Sequence, residues 1–595
     1  VRQDNNESFL KIIRMKTRYN SIKVACLGLM AMAMTSCLDF SPEAQMNDDT
    51  VWSSATNFQL FANQFYSYTH DIQSGDSYQY AVSDGPHSDT RSDLIAGANA
   101  NVYSQGTNTV PQSDNNYKNL YKHIYYTNLL LKNAANFGNQ SAIAVPVAEA
   151  KFFRAYCYFE LVQLYGNAIL LTEPVDMDSP AMNATRDDRG LVIDQCVKDL
   201  QEAAEGLPET PSEAGRLCKD AANAFLSRVA LYEGTWQKFH TNGYQATNNT
   251  ERSSQLLEIA KTAAKAVIEG GRYKLFYSDK LGTESYRYMF ILEDEKCNPA
   301  GLTTKDNTEY ILARRHKSTD GVGLNITKAY CTNAVYVTRK LANLYACQDG
   351  LPIEKSSQFK GYDKATSEFE NRDNRMLTTL APRGTKLWDN TADHCRTAWD
   401  DTDLARAKEV GACANSGYQT HKWAVERQVS DRYECMDYPV IRYAEVLLNF
   451  AEAVYELNGR ISDSDLDKSL NLVRARSNPK MVKLSNALVD NNGLSMREEI
   501  RRERTVELAF EGYRIDDLKR WATAPIEMPQ DQLGVKWKGT QFETLWTNQS
   551  RQINSEGCII LYDNRKWDDK LYLYPLPSDQ LQLNPNIGQN PGWEK

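Results

Sequence analysis

The chain lacks the run of about 20 apolar residues that a helix needs to cross a bilayer, which argues against an integral helical membrane protein. Its 12 cysteines include no C-x-x-C pair, and their spacing fits no zinc ribbon or finger. The motifs H-E-x-x-H, G-x-S-x-G, G-x-x-x-x-G-K-[ST] and G-x-G-x-x-G are missing, so the best-known metalloprotease, hydrolase and nucleotide-binding signatures find no support. Histidine is scarce, seven in all, and none falls at metal-ligand spacing. No concentrated basic stretch exists: the formal net charge is −9 with both signs mixed along the chain, which excludes an obvious nucleic-acid footprint. The 77 acidic residues neither nominate nor exclude a glycosidase carboxylate pair. These absences favour binding over turnover, with no catalytic residue, cofactor or metal nominated.

What is present begins with Val24–Ser36, a short apolar run after Lys16, Arg18 and Lys23 that stops at Cys37. A basic flank, a short apolar core and small residues before a cysteine read as an export signal. Lipoprotein signals end this way, with Cys37 receiving the lipid. Met15 is the natural start, and residues 1–36 are expected to be removed. The 42% apolar fraction and ten tryptophans supply a sizeable core, so disorder is not the default. Cys157, Cys196 and Cys218 fall on helical stretches among apolar neighbours and read as small core residues. In an exported chain Cys395 could pair with Cys413.

Residues 37–115 are polar, turn-rich and sprinkled with aromatics. Residues 116–271 are helical in pattern. Helices are expected over Tyr117–Ala135 and, after a loop with Pro146, over Val147–Tyr165, where Phe153, Cys157, Leu161 and Leu164 make one apolar stripe ended by Gly166. Val192, Cys196, Leu200, Ala203 and Leu207 stripe the next, stopped by Pro208. Ala222, Phe225, Val229 and Tyr232 stripe another, stopped by Gly234, and a further helix covers Leu256–Glu269. Residues 272–435 form a loop-rich insertion with short strands at Tyr310–Arg314 and Ala334–Thr338. Residues 436–595 resume with helices over Tyr443–Leu457, ended by Gly459, and Leu466–Ala475. Paired helices with small residues at their contacts suggest stacked, tetratricopeptide-like hairpins, so the fold class is mainly α.

The densest charged stretch, Arg497–Trp521, has Ser495 and Glu498 at capping-box spacing, and Glu498 and Glu499 each within helical reach of Arg502. Glu503, Glu507, Glu511 and Asp516 could be read as acid/base groups. The preferred reading is an ion-paired helix locking the C-terminal part onto the helical body.

Several blocks occur in order: Cys37-Leu38-Asp39, EAKFFRAYCYFELVQLYGNAILLTEP (149–174), AANAFLSRVALYEG (221–234), PVIRYAEVLLNFAEA (439–453), RRERTVELAFEGYRIDDLKRW (501–521) and LYLYPLPSDQLQLNPNIGQNPGW (571–593). Together they resemble the SusD/RagB family of outer-membrane nutrient-binding lipoproteins. The resemblance implies a scaffold of about four tetratricopeptide-like helix pairs, a loop-rich ligand-binding part, and a lipid anchor at Cys37 on the cell surface. It also implies a SusC-like TonB-dependent transporter as partner, with oligosaccharides or, in some members, peptides as ligand, and no enzymatic activity. Sugars stack on aromatic rings and need polar groups for their hydroxyls. That mixture occurs in the loop Tyr80–Tyr103, with Asp84, His87, Asp89, Arg91 and Asn101, and in the insertion, with Tyr286, Tyr288, Tyr330, Tyr336, Trp388, Trp399 and Trp423. Each ring taken singly reads as well as packing; the set points to a ligand surface.

Overall fold

A computed structural model describes residues 51–72, 85–176, 178–317, 323–327, 335–382, 385, 416–427, 432–545 and 552–594. The leader, Cys37 and the Cys395/Cys413 pair lie outside these residues. Chain contacts divide the protein into two units, 1–58 and 59–595. In the first, the rings of Trp52 and Phe58 lie 5.0 Å apart; the elements that follow belong to the second.

Nine helices carry the argument: α1 (Asn115–Ala134), α2 (Ala144–Tyr165), α3 (Arg189–Gly206), α4 (Lys219–Phe239), α5 (Thr250–Gly270), α6 (Tyr443–Asn458), α7 (Leu470–Ser477), α8 (Met496–Leu508) and α9 (Arg514–Arg520). From α1 to α6 each packs on the next, and α6 also packs on α8. The mainly α, stacked-helix expectation holds. No described helix is long and apolar enough to cross a membrane. Helices α5 and α6 touch although the whole insertion separates them in sequence, so the insertion leaves the stack and returns to it.

Short antiparallel strand pairs fasten that excursion. Strands β1 (Ile95–Gly97) and β3 (Val335–Val337) pair with Ile95 opposite Val337, and β2 (Tyr310–Arg314) pairs with β6 (Tyr438–Arg442), Tyr310 opposite Arg442. The pairs β4 (Leu380–Ala381) with β5 (Gln419–Thr420), and β7 (Gln532–Lys536) with β8 (Cys558–Tyr562), complete the set among the described residues.

Four local expectations need correction. Helix α2 starts at Ala144, with Pro146 in its first turn, where its missing N–H costs nothing. Its stripe widens to the full circumference, because every residue from Phe152 to Tyr165 is buried. Helix α4 runs through Gly234 to Phe239. A Cβ on Gly234 would lie 3.1 Å from Leu257 Cγ and 3.3 Å from Leu256 Cβ, so this glycine allows α4 and α5 to approach rather than ending a helix. The helix expected over Leu466–Ala475 breaks at Ser469 (φ −136°, ψ −100°) into Asp463–Asp467 and α7. Cys157, Cys196 and Cys218 are free and buried, as expected of core residues.

Candidate functional site

Residues 85–93 are not an exposed loop but a strap laid on the C-terminal charged block. A turn closed by Ser88 N–H donating to Gly85 C=O (2.9 Å) leads into a short 3-10 turn, Asp89–Arg91, capped by the Ser88 hydroxyl. Asp89 Oδ2 accepts from the Phe510 N–H at 2.7 Å, and Arg514 clasps Asp93 through two contacts of 2.8 Å. Gly512 (φ +79°) sits under the strap, and a Cβ there would lie 3.0 Å from the His87 carbonyl oxygen. Burial pushes the Asp89 carboxyl up to about 7 against the hydrogen bond from Phe510.

His87 is buried between two carboxylates. Its Nδ1 is 2.6 Å from Asp516 Oδ2 and its Nε2 is 2.8 Å from Glu160 Oε2, while His70 Nε2 meets the same Glu160 oxygen at 2.8 Å. Burial opposes charge on His87, yet Asp516 and Glu160 raise its pKa to about 10. Burial likewise opposes the Glu160 carboxylate, but His70 and His87 hold it well below the usual range. Among the described residues, His70, His87 and Glu160 are the one group of three side chains able to share a metal ion.

Two adjoining cavities meet at this cluster, and both are lined by His70, His87, Tyr438, Glu511 and Gly512. The larger holds about 230 Å³. That is below the span of typical small-molecule pockets, about 300–1,000 Å³, so it admits a small group and not an oligosaccharide. A more open cleft of about 480 Å³ lies between Arg339, Lys340, Asn343, Glu354, Arg502 and Asp531, and offers donors and acceptors of both signs.

The nominated ligand residues divide accordingly. His87, Asp89 and Arg91 come together, but buried: Arg91 donates to the Tyr574 hydroxyl at 2.8 Å and lies 3.6 Å over the Tyr103 ring. Tyr103 is half-buried on Tyr574, with ring centroids 5.0 Å apart. Asn101 caps a helical turn by accepting from the Tyr103 N–H at 2.9 Å. Tyr286 is fully buried elsewhere, donating to the Glu507 carbonyl at 2.7 Å, and Tyr288, Tyr336 and Trp423 are buried as well. A sugar cannot stack on rings so enclosed; they serve packing. Cys37, Tyr80, Asp84, Tyr330, Trp388 and Trp399 lie outside the described residues. Sequence reasoning missed His70 and Glu160. Glu160 carried a faint signal, as an acid directly after the run Ala155–Phe159 and before Leu161 and Val162.

The family model described as "SusD family" matches residues 295–593, and that described as "Starch-binding associating with outer membrane" matches residues 37–231. SusD-like protein P25 of Formosa agariphila is 24% identical over 496 residues, covering 79% of this chain and 77% of its own length. Among solved structures, a SusD-like protein of Bacteroides fragilis is 24% identical with a TM-score of 0.68, covering 92% of this chain and 99% of that one. A second B. fragilis structure, a SusD-like carbohydrate-binding protein, is 22% identical with a TM-score of 0.69, covering 90% and 100%.

Proposed function

The chain belongs to the SusD family, and from that premise we propose that it is a lipid-anchored, surface-facing outer-membrane protein that captures an oligosaccharide and passes it to a SusC-like TonB-dependent transporter. The observation that carries the reading is the pair of family matches, one at each end of the chain, with the N-terminal one described as starch-binding and outer-membrane-associated. Two structural features support it. The buried carboxylates of the C-terminal block are engaged with arginines, which suits a binding scaffold better than acid/base chemistry. The cleft beside Arg339 and Asp531 is large enough for one or two sugar units and lined with groups that bond hydroxyls.

Titration of the purified protein against a panel of polysaccharides tests the proposal. Saturable, exothermic binding of a glycan without release of reducing ends is expected. Binding confined to a proteolytic peptide mixture would replace the sugar by a peptide ligand, and release of reducing ends would make the protein a hydrolase. Either result overturns the proposal.

A further inference from the structure

We propose that His70 Nε2, His87 Nε2 and Glu160 Oε2 form a binding site for a divalent transition-metal ion of the zinc class. Two imidazole nitrogens converge on one carboxylate oxygen, each 2.8 Å from it, and the three ligand atoms all lie within 4.8 Å of one another. Ligands about 2.0–2.1 Å from a tetrahedral ion stand about 3.3 Å apart. Each nitrogen–oxygen separation therefore needs to open by about 0.5 Å, while the two imidazole nitrogens stand no more than 4.8 Å apart, so an ion takes the central position after small side-chain shifts.

The surroundings are those of a metal site rather than of three polar groups meeting by accident. Asp516 holds Nδ1 of His87 at 2.6 Å, which fixes the tautomer that presents Nε2 to an ion; carboxylates behind ligating histidines do this generally. The His70 backbone N–H donates to the Tyr156 hydroxyl at 3.0 Å, steadying the second ligand. Glu160 sits on α2, the most enclosed helix of the stack, so the third ligand is rigid. The side chains of His87 and Glu160 are each 8% exposed and that of His70 is 40% exposed. The site thus has a protected floor and one open side, toward the cavities, for entry and for a fourth ligand such as water. Two imidazoles with one carboxylate suit zinc, cobalt or nickel and not the all-oxygen preference of calcium or magnesium.

The charges also fit. Arg228, Arg504, Arg520, Glu511 and Asp517 line the same cavity, but each is paired elsewhere: Arg228 with Glu445 at 2.6 Å and the Tyr513 hydroxyl at 2.8 Å, Arg504 and Arg520 with Asp517 at 2.8 and 2.9 Å, and Glu511 with Arg442 at 2.6 Å. Glu160 and Asp516 remain to face the imidazoles, and a dication neutralises both carboxylates. On binding, His87 releases its Nε2 proton to solvent and the ion takes that proton's place against Glu160. The ion would then pin the chain at His70 and at the start of the strap to α2.

The test is titration of chelator-stripped protein with Zn2+ by calorimetry and with Co2+ by visible absorption. One ion per chain is expected, with the intense cobalt bands of a tetrahedral site. His70→Ala, at the most exposed ligand, should abolish this binding while leaving the circular dichroism unchanged. Asp516→Asn should weaken it about 10–100-fold. The proposal falls if the wild type binds neither ion stoichiometrically, if it binds Ca2+ in preference to both, or if His70→Ala binds as tightly as the wild type.

Discussion

Replacing Glu507 by Gln would remove one charge from a buried network in which the signs balance. Arg375, Lys422, Arg442, Arg474 and Arg476 face Glu309, Asp373, Glu503, Glu507 and Glu511 through a continuous set of ion pairs. Glu507 itself meets Arg442 at 2.6 Å and Arg375 at 2.9 Å and also pairs with Arg476. The substitution leaves one uncompensated positive charge in a region closed to water. Breaking a buried pair in this way costs about 3–5 kcal/mol. Each arginine keeps another carboxylate: Asp373 for Arg375, Glu309 and Glu511 for Arg442, and Glu309 for Arg476. The expected loss therefore lies at the lower end, about 3 kcal/mol. Burial opposes the Glu507 charge, but Arg476, Arg442 and Arg375 hold its pKa well below the ordinary 4.5. Its contribution is present above that ordinary value and lost as pH falls beneath it. Urea midpoints at about pH 7 and about pH 4 should show the gap between wild type and Glu507→Gln narrowing on acidification. A variant within about 0.5 kcal/mol of wild type, or a gap that ignores pH, would refute the reasoning.

Two further predictions concern positions outside the network. Gly512→Ala forces a side chain into left-handed backbone at φ +79°, 3.0 Å from the His87 carbonyl oxygen; a loss of about 1–3 kcal/mol is expected in chemical denaturation, with weaker zinc binding as the strap lifts. Burial raises the Glu434 carboxyl from 4.5 to about 7 despite hydrogen bonds from Thr327. The folded state therefore binds its proton more tightly than the unfolded state, and stability falls as pH rises across that window, by about 3 kcal/mol in all. Glu434→Gln should flatten the decline between about pH 5 and about pH 8, and an unchanged slope in urea unfolding would assign it to other groups.

The helices were legible because their signals are local. Ser495 accepts from the Glu498 N–H as the capping spacing implies, Gly166 (φ +75°) ends α2, and Gly459 (φ +68°) ends α6. The ion pairing of the stretch Arg497–Trp521 was also legible as a class, but not its partners. Glu499 meets Arg502 at 3.4 Å as its spacing allows, whereas Glu498 meets Arg501 rather than Arg502. Longer reach defeats pattern reading. Gly234 looks like a helix stop until Leu256 and Leu257 of the neighbouring helix are seen against it. The strap 85–93 reads as a polar, solvent-facing loop because the groups that absorb its polarity, the Phe510 N–H, Arg514 and Asp516, are more than 400 residues away. Likewise His70, His87 and Glu160 share no sequence spacing that a ligand motif would show.

These long-range contacts explain how a loop-rich insertion can be held on a helical stack. Helices α5 and α6 pack together without it, so the insertion must be fastened by what it sends back. It sends strand β2 to pair with β6, Glu309 to Arg442 and Arg476, Arg375 to Glu503 and Glu507, and Lys422 to Glu511 at 2.7 Å. The N-terminal strap joins the same anchor through His87, Asp89 and Asp93. Apolar contacts alone would tolerate sliding, whereas hydrogen-bonded charge pairs are satisfied in one register and penalised in others. The charged block carried by α8, α9 and the turn between them therefore acts as the lock that sets strap and insertion on the scaffold. Its buried carboxylates Glu503, Glu507 and Glu511 are each engaged in that task.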